Sequence, residues 1–147
     1  MSHFTLQVSP SGPIVDAIVG VSLPRRNALL AANQQVPNTV SIRGLLDTGA
    51  SGTAVDPSVL TALGLTPTGT ILVNTPTTGA NPVSVDQYDV AFIIPGPPKG
   101  SPLLSLTLPV VASELLIPQG FHALIGRDIL SQCVFVYNGS GFFTLGY

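Results

Sequence analysis

The chain is predicted to be all-β, and three features of its 147 residues predict it. With 15 Gly and 14 Pro, it is interrupted too often for long helices. Between the interruptions apolar residues recur at every second position, the spacing of strands with one buried face. Hydrophobic residues make up 45% of the chain and charged residues 8%, which is enough apolar surface for one core in a single domain spanning 1–147.

The elements follow in order. Phe4, Leu6 and Val8 alternate, and then Val15, Ala17, Val19, Val21 and Leu23 do the same. Pro24 to Asn38 reads as a long excursion with a helical turn at Asn27 to Ala32. Val40 and Ile42 lead into Leu45 and Leu46. A short helix is predicted at Asp56 to Gly64, where Asp is the N-cap, Pro57 holds the first helical position and Gly lies just past the end. Ile71 to Thr75 and Val83 to Val90 read as strands flanking Pro76 to Pro82. Pro95 to Pro102 reads as a long surface loop, and Leu104, Leu106 and Leu108 lead on to Val110 and Val111. A second short helix follows Gly126, starting at Arg127 or Asp128 and ending near Gln132. Cys133, Phe135 and Tyr137, then Phe143, Leu145 and Tyr147, flank Asn138-Gly139-Ser140-Gly141 as a hairpin. Its second strand ends on apolar residues, an edge expected to be covered by pairing between subunits.

Several functions are excluded by composition. Five Lys+Arg against 7 Asp+Glu leave no basic surplus for a phosphate backbone, so nucleic acid is not an expected partner. Apolar runs fall far short of the ~20 residues that span a bilayer, so no membrane association is expected. The N-terminus lacks a basic start and an apolar run, and the expected location is cytoplasmic. Cys133 is the only cysteine, and His3 and His122 are the only histidines, so neither a disulfide nor a zinc cluster is expected. No metal or cofactor is expected. Asn138-Gly139-Ser140 fits a glycosylation sequon but reads better as turn chemistry.

The segment richest in chemistry is Leu45-Leu46-Asp47-Thr48-Gly49-Ala50-Ser51. Two leucines close a strand, a carboxylic acid follows, and Gly lets backbone N–H groups approach that carboxyl. Taken alone, this is also an ordinary turn. A second segment, Ala123-Leu124-Ile125-Gly126-Arg127-Asp128-Ile129-Leu130, repeats the plan of apolar pair, Gly and short helix. In this order the pair resembles the retropepsin-like aspartic proteases, in which a hydrophobic-hydrophobic-Asp-Thr-Gly-Ala loop is joined to a later hydrophobic-hydrophobic-Gly-Arg segment. The resemblance runs from about Val15 to Tyr147.

That resemblance implies a closed acid-protease β fold with one or two short helices and a β-hairpin flap, acting as a homodimer on peptide or protein substrates. It makes Asp47, Thr48 and Gly49 the catalytic set: Asp47 supplies one carboxyl per subunit, Thr48 bonds across to the partner's loop, and the Gly49 N–H points at the Asp47 carboxylate. Asp16, Asp56, Asp86, Asp89 and Asp128 lack the Thr-Gly context, so the second carboxyl must come from a second copy. Ala50, Ser51, Phe121, His122 and Leu124 are placed against substrate, with His122 equally readable as a bystander. Thr78, Gly79 and Ala80 fall at the flap tip. Gly126 and Arg127 are structural, and because Ser51 stands where retroviral members commonly carry Asp, Arg127 needs another partner. The competing reading keeps the fold as a dimerisation or peptide-binding module without chemistry. A structural β-sandwich with a coincidental Asp-Thr-Gly is the remaining alternative. Serine hydrolysis is disfavoured by the absence of Gly-x-Ser-x-Gly.

Overall fold

The computed structural model describes residues 1–74, 79–114 and 116–147. Among these, the period-two stretches form ten strands. In chain order the elements are β1 (His3–Gln7), β2 (Ile14–Val21), α1 (Leu23–Ala31), β3 (Val40–Leu46), β4 (Ala54–Val55), α2 (Pro57–Ala62), β5 (Gly69–Val73) and β6 (Val83–Gly96). They continue with β7 (Ser101–Ala112), a 3-10 turn (Ile117–Gln119), β8 (Ala123–Ile125), α3 (Arg127–Leu130), β9 (Val134–Asn138) and β10 (Phe142–Gly146).

Seven strands lie in the order β2-β3-β8-β4-β7-β6-β5. A further pairing of β2 with β6, from Ile18 opposite Ile93 to Val21 opposite Val90, closes six of them into a barrel and leaves β5 outside on β6. Alternation fills the interior with Val15, Ala17 and Val19 of β2, Ile42 and Leu46 of β3, and Val90, Phe92 and Ile94 of β6. Each large side chain removed from water there contributes about 1.5–3 kcal/mol. The fold is all-β, as the alternation predicts.

The predicted helix after Asp56 forms as α2: the Asp56 carboxylate accepts the Ser58 N–H at 2.9 Å, and Gly64 leaves the helix at φ +63°. Val59, Leu60 and Leu63 then join the core. α3 spans only Arg127–Leu130. α1 departs from expectation by starting at Leu23. Ser22 caps it by accepting the Arg25 N–H at 3.3 Å, and Pro24 sits in the first turn, where its missing N–H costs nothing.

Residues 95–102 are not a long loop. β6 and β7 stay paired to Pro95 opposite Pro102 and Gly96 opposite Ser101, with a register shift at Ile94/Pro95 absorbing the proline. Only a tight connection remains, with Gly100 at φ +96°.

The second sheet has the order β1-β10-β9. Phe143 and Leu145 of β10 pack into the main core, and the Phe143 ring meets Phe135 edge to face at 6.2 Å. This sheet corrects the expected open edge at 142–147. β10 is the central strand, flanked by β1 and β9 of its own chain, because the N-terminal strand brings a matching apolar row, Phe4 opposite Leu145 and Leu6 opposite Phe143. Among the described residues, no helix is long and apolar enough to cross a membrane.

Candidate active site

The site begins where β3 leaves the barrel. β3 and β8 run parallel with Gly44 opposite Ala123, Leu45 opposite Leu124 and Leu46 opposite Ile125. Gly44 is needed in this pairing, since a Cβ there would lie 2.6 Å from Ile125 Cδ1. The ladder extends one residue beyond the strand, the Asp47 N–H donating to the Ile125 carbonyl at 2.9 Å. The chain then turns back. The Ala50 N–H donates to the Asp47 carbonyl at 3.2 Å, and the Gly49 N–H donates to Asp47 Oδ1 at 2.9 Å. The Asp47 side chain is half-buried, while Thr48 and Gly49 are exposed at the rim.

The start of α3 clamps the other side of this loop. Gly126 packs so tightly that a Cβ would lie 2.4 Å from the Gly52 carbonyl oxygen. Arg127 donates its N–H to the Ala50 carbonyl at 2.9 Å and its Nη1 to the Thr48 carbonyl at 2.8 Å. The Thr48 carbonyl is thus the partner that the sequence left open for Arg127.

Two residues that the sequence reading did not assign to the site complete the clamp. The Asp128 carboxylate accepts from the Thr53 N–H at 2.9 Å, the Thr53 hydroxyl at 2.7 Å and the Ile129 N–H at 2.9 Å. Thr53 Oγ1 in turn accepts the Gly126 N–H at 3.2 Å. The sequence did hold a signal: a hydroxyl residue opening the apolar pair Ala54-Val55 is buried and must find a partner. Thr53 is only 2% exposed.

A second, smaller apolar cluster includes the strand residues Leu45 and Leu124. Ile14, Leu116 and Phe121 are buried together, and the half-buried Leu45 and Leu124 pack against them. Phe121 is therefore buried, while Leu124 keeps a partly open surface. His122 is tied to β3, donating its N–H to the Arg43 carbonyl at 2.7 Å and accepting the Arg43 N–H on Nδ1 at 3.1 Å. A ring that accepts there when neutral carries its proton on Nε2. The ring borders a cavity of about 360 Å³ shared with Asp16, Ser41, Arg43 and Pro95, and Asp47 does not line that cavity. Ala50 is half-buried and Ser51 exposed in the Asp47 loop. Gly79 and Ala80 belong to the turn of the β5–β6 hairpin, with Gly79 at φ +60°. Thr78 lies outside the described residues. Burial raises the Cys133 thiol above its ordinary range, and its Sγ donates to the Ile129 carbonyl at 3.6 Å. Among the described residues, no three His, Cys, Asp or Glu side chains converge as a metal site.

A closed barrel that presents an Asp-Thr-Gly loop against a Gly-Arg helix start defines the aspartic-protease class of fold. Known proteins agree. A family model described as aspartyl protease matches residues 33–97, which include Asp47. The fold is similar to the crystal structure of a retropepsin-like aspartic protease from Rickettsia conorii, at TM-score 0.56 and 19% identity, over 99% of this chain and 91% of that one. A search of curated proteins gave no match. The chain thus has the retropepsin-like fold, and within it the segment that carries Asp47 is similar to the aspartyl protease family.

Proposed function

We propose that the chain is an aspartic endopeptidase whose active form is a homodimer, each subunit contributing its Asp47. The observation that carries this reading is the Asp47 carboxylate, held at the barrel's rim by the Gly49 N–H and anchored from behind by α3. Two such carboxyls facing each other share one proton, because like charges a few ångströms apart resist joint ionisation. The ionised one takes a proton from a water molecule while the protonated one hydrogen-bonds the scissile carbonyl oxygen. Water oxygen bonds to the carbonyl carbon, giving a tetrahedral diol. The protonated carboxyl gives its proton to the carbonyl oxygen as the diol forms. The diol collapses when the carboxyl that took the water proton passes it to the amide nitrogen, a diol hydroxyl returns its proton to the other carboxylate and the C–N bond breaks. Thr48 bonds across the two loops and fixes the pair. Leu45 and Leu124 take an apolar side chain, Ala50 and Ser51 border the peptide backbone, and the β5–β6 hairpin closes over it through Gly79 and Ala80. His122, held by Arg43, contacts substrate only through Nε2.

Digestion of a peptide library from pH 3 to 7, read by mass spectrometry, tests this. Cleavage is expected with an acid-leaning bell-shaped profile, since one dyad proton must be present and the other absent. Asp47→Asn is expected to lower the rate by about 10²–10⁴-fold or more. Equal cleavage by that variant, or a rate rising steadily into alkaline pH, contradicts the proposal.

A further inference from the structure

We propose that the cavity on the outer face of the barrel, which Asp47 does not line, binds a free apolar amino acid, its carboxylate held by Arg43 and its ammonium by Asp16. The cavity opens where two strands part. β2 pairs with β6 only as far as Ile18 opposite Ile93, and β6 then shifts register at Ile94/Pro95 to follow β7. Pro95 has no N–H to offer β2. A cavity of about 360 Å³ remains, bordered by Asp16, Ile18, Ser41, Arg43, Pro95 and His122. Ligand sites run from about 300 to 1,000 Å³, so this one has room for a single small molecule.

Strand register fixes what faces the cavity. Val15, Ala17 and Ile42 point into the core, so Asp16, Ile18, Ser41 and Arg43 lie on the outer face. There Asp16 stands directly opposite Arg43, and Ile18 opposite Ser41. Opposite charges so placed on neighbouring strands ordinarily attract and pair. Among the described residues, however, neither the Asp16 carboxylate nor the Arg43 guanidinium has a hydrogen-bond or ion-pair partner. Opposed Cα atoms lie about 4.5–5.5 Å apart, a span that the carboxylate and ammonium on one α-carbon can bridge. The guanidinium fork matches the two carboxylate oxygens, and Asp16 accepts from the ammonium. Two further donors border the carboxylate: the Ser41 hydroxyl and His122, whose Nδ1 is taken by the Arg43 N–H and whose remaining donor is Nε2–H. Ile18 and Pro95 continue as the wall of a second cavity of about 280 Å³, lined also by Ile93 and Pro102 and by no charged residue. An apolar side chain extends there.

Titrating the wild-type protein with leucine, and following its backbone amides by two-dimensional NMR, tests this with no reference to peptide cleavage. Leucine is expected to shift the amides of Asp16, Ser41 and Arg43 saturably, with a Kd of about 1 mM or tighter. N-acetyl-leucine lacks the ammonium, leucinamide lacks the carboxylate and glycine lacks the side chain. Each is expected to bind more than about tenfold more weakly than leucine. Arg43→Gln, which keeps the backbone N–H that His122 accepts, and Asp16→Asn are expected to weaken leucine by a similar factor. If either variant does not fold, the ligand series decides. N-acetyl-leucine or leucinamide binding as tightly as leucine makes the ligand one end of a peptide and overturns the amino-acid assignment. The absence of a saturable shift up to about 20 mM leucine means that Asp16 and Arg43 serve only each other, and overturns the site.

Discussion

Thr53 makes a buried hydroxyl useful in both directions, accepting from Gly126 and donating to Asp128, and so ties the strand after the Asp47 loop to the helix behind it. Replacing it with valine keeps the volume but strips the Gly126 N–H of its partner and leaves Asp128 Oδ1 with the Ile129 N–H alone. An unsatisfied buried donor costs about 1–3 kcal/mol. Thr53→Val is therefore expected to lower the melting temperature by roughly 2–4 °C per kcal/mol lost, while Thr53→Ser retains most of the stability. Thermal denaturation followed by circular dichroism measures both. Cys133 bears on alkaline stability. Its folded pKa is raised by burial from an ordinary value of 9.0, so the folded state holds the proton more tightly than the unfolded chain does. That contribution is complete below pH 9.0 and is lost as pH rises through the folded pKa. Cys133→Ser is expected to flatten the alkaline limb of a urea-denaturation series between pH 8 and 11. An unchanged slope contradicts that assignment.

Elements set by neighbours in sequence were legible, and elements set by distant partners were not. Asp56, Pro57 and Gly64 carry the whole argument for α2 within nine residues, and the helix forms where they say. Asn138 to Gly141 do the same for the β9–β10 turn, where Asn138 Oδ1 accepts the Ser140 N–H at 2.9 Å. The Asp47 loop and Gly126 were legible as motifs, yet the bonds joining them cross more than seventy residues. β10 is enclosed because β1 returns from the far end of the chain. Prolines misled in both directions: Pro24 opens a helix and Pro95 sits inside a hairpin, each tolerated because the local geometry asks nothing of the missing N–H. The β8–α3 junction gives the clearest test at this scale. Gly126→Ala drives a Cβ to 2.4 Å from a backbone carbonyl oxygen, so the junction must separate from the Asp47 loop. Gly139→Ala meets nothing within 4 Å. The first is expected to destabilise the fold by about 2 kcal/mol or more and the second by less than 0.5, compared by urea titration.

At the scale of the whole molecule, shared catalysis leaves an arithmetic signature that no single-chain enzyme can mimic. If each active unit needs two Asp47 carboxyls, a subunit carrying Asp47→Asn is expected to fold and pair as before, because that side chain takes no part in the barrel core. Mixed with wild type under conditions where subunits exchange, it converts wild-type subunits into half-equipped dimers. With random pairing, the chance that a wild-type chain meets another wild-type chain equals the wild-type fraction. Activity per wild-type chain is therefore expected to fall to about one half in an equal mixture and to about one tenth at ninefold excess of the variant. Dilution gives the same information from the other side. Below the dimer dissociation constant, the rate per chain falls with concentration, and the melting temperature falls with it. A bystander protein at matched concentration must leave the rate unchanged. Activity per wild-type chain that stays constant as the variant is added means the carboxyls do not work in pairs across subunits.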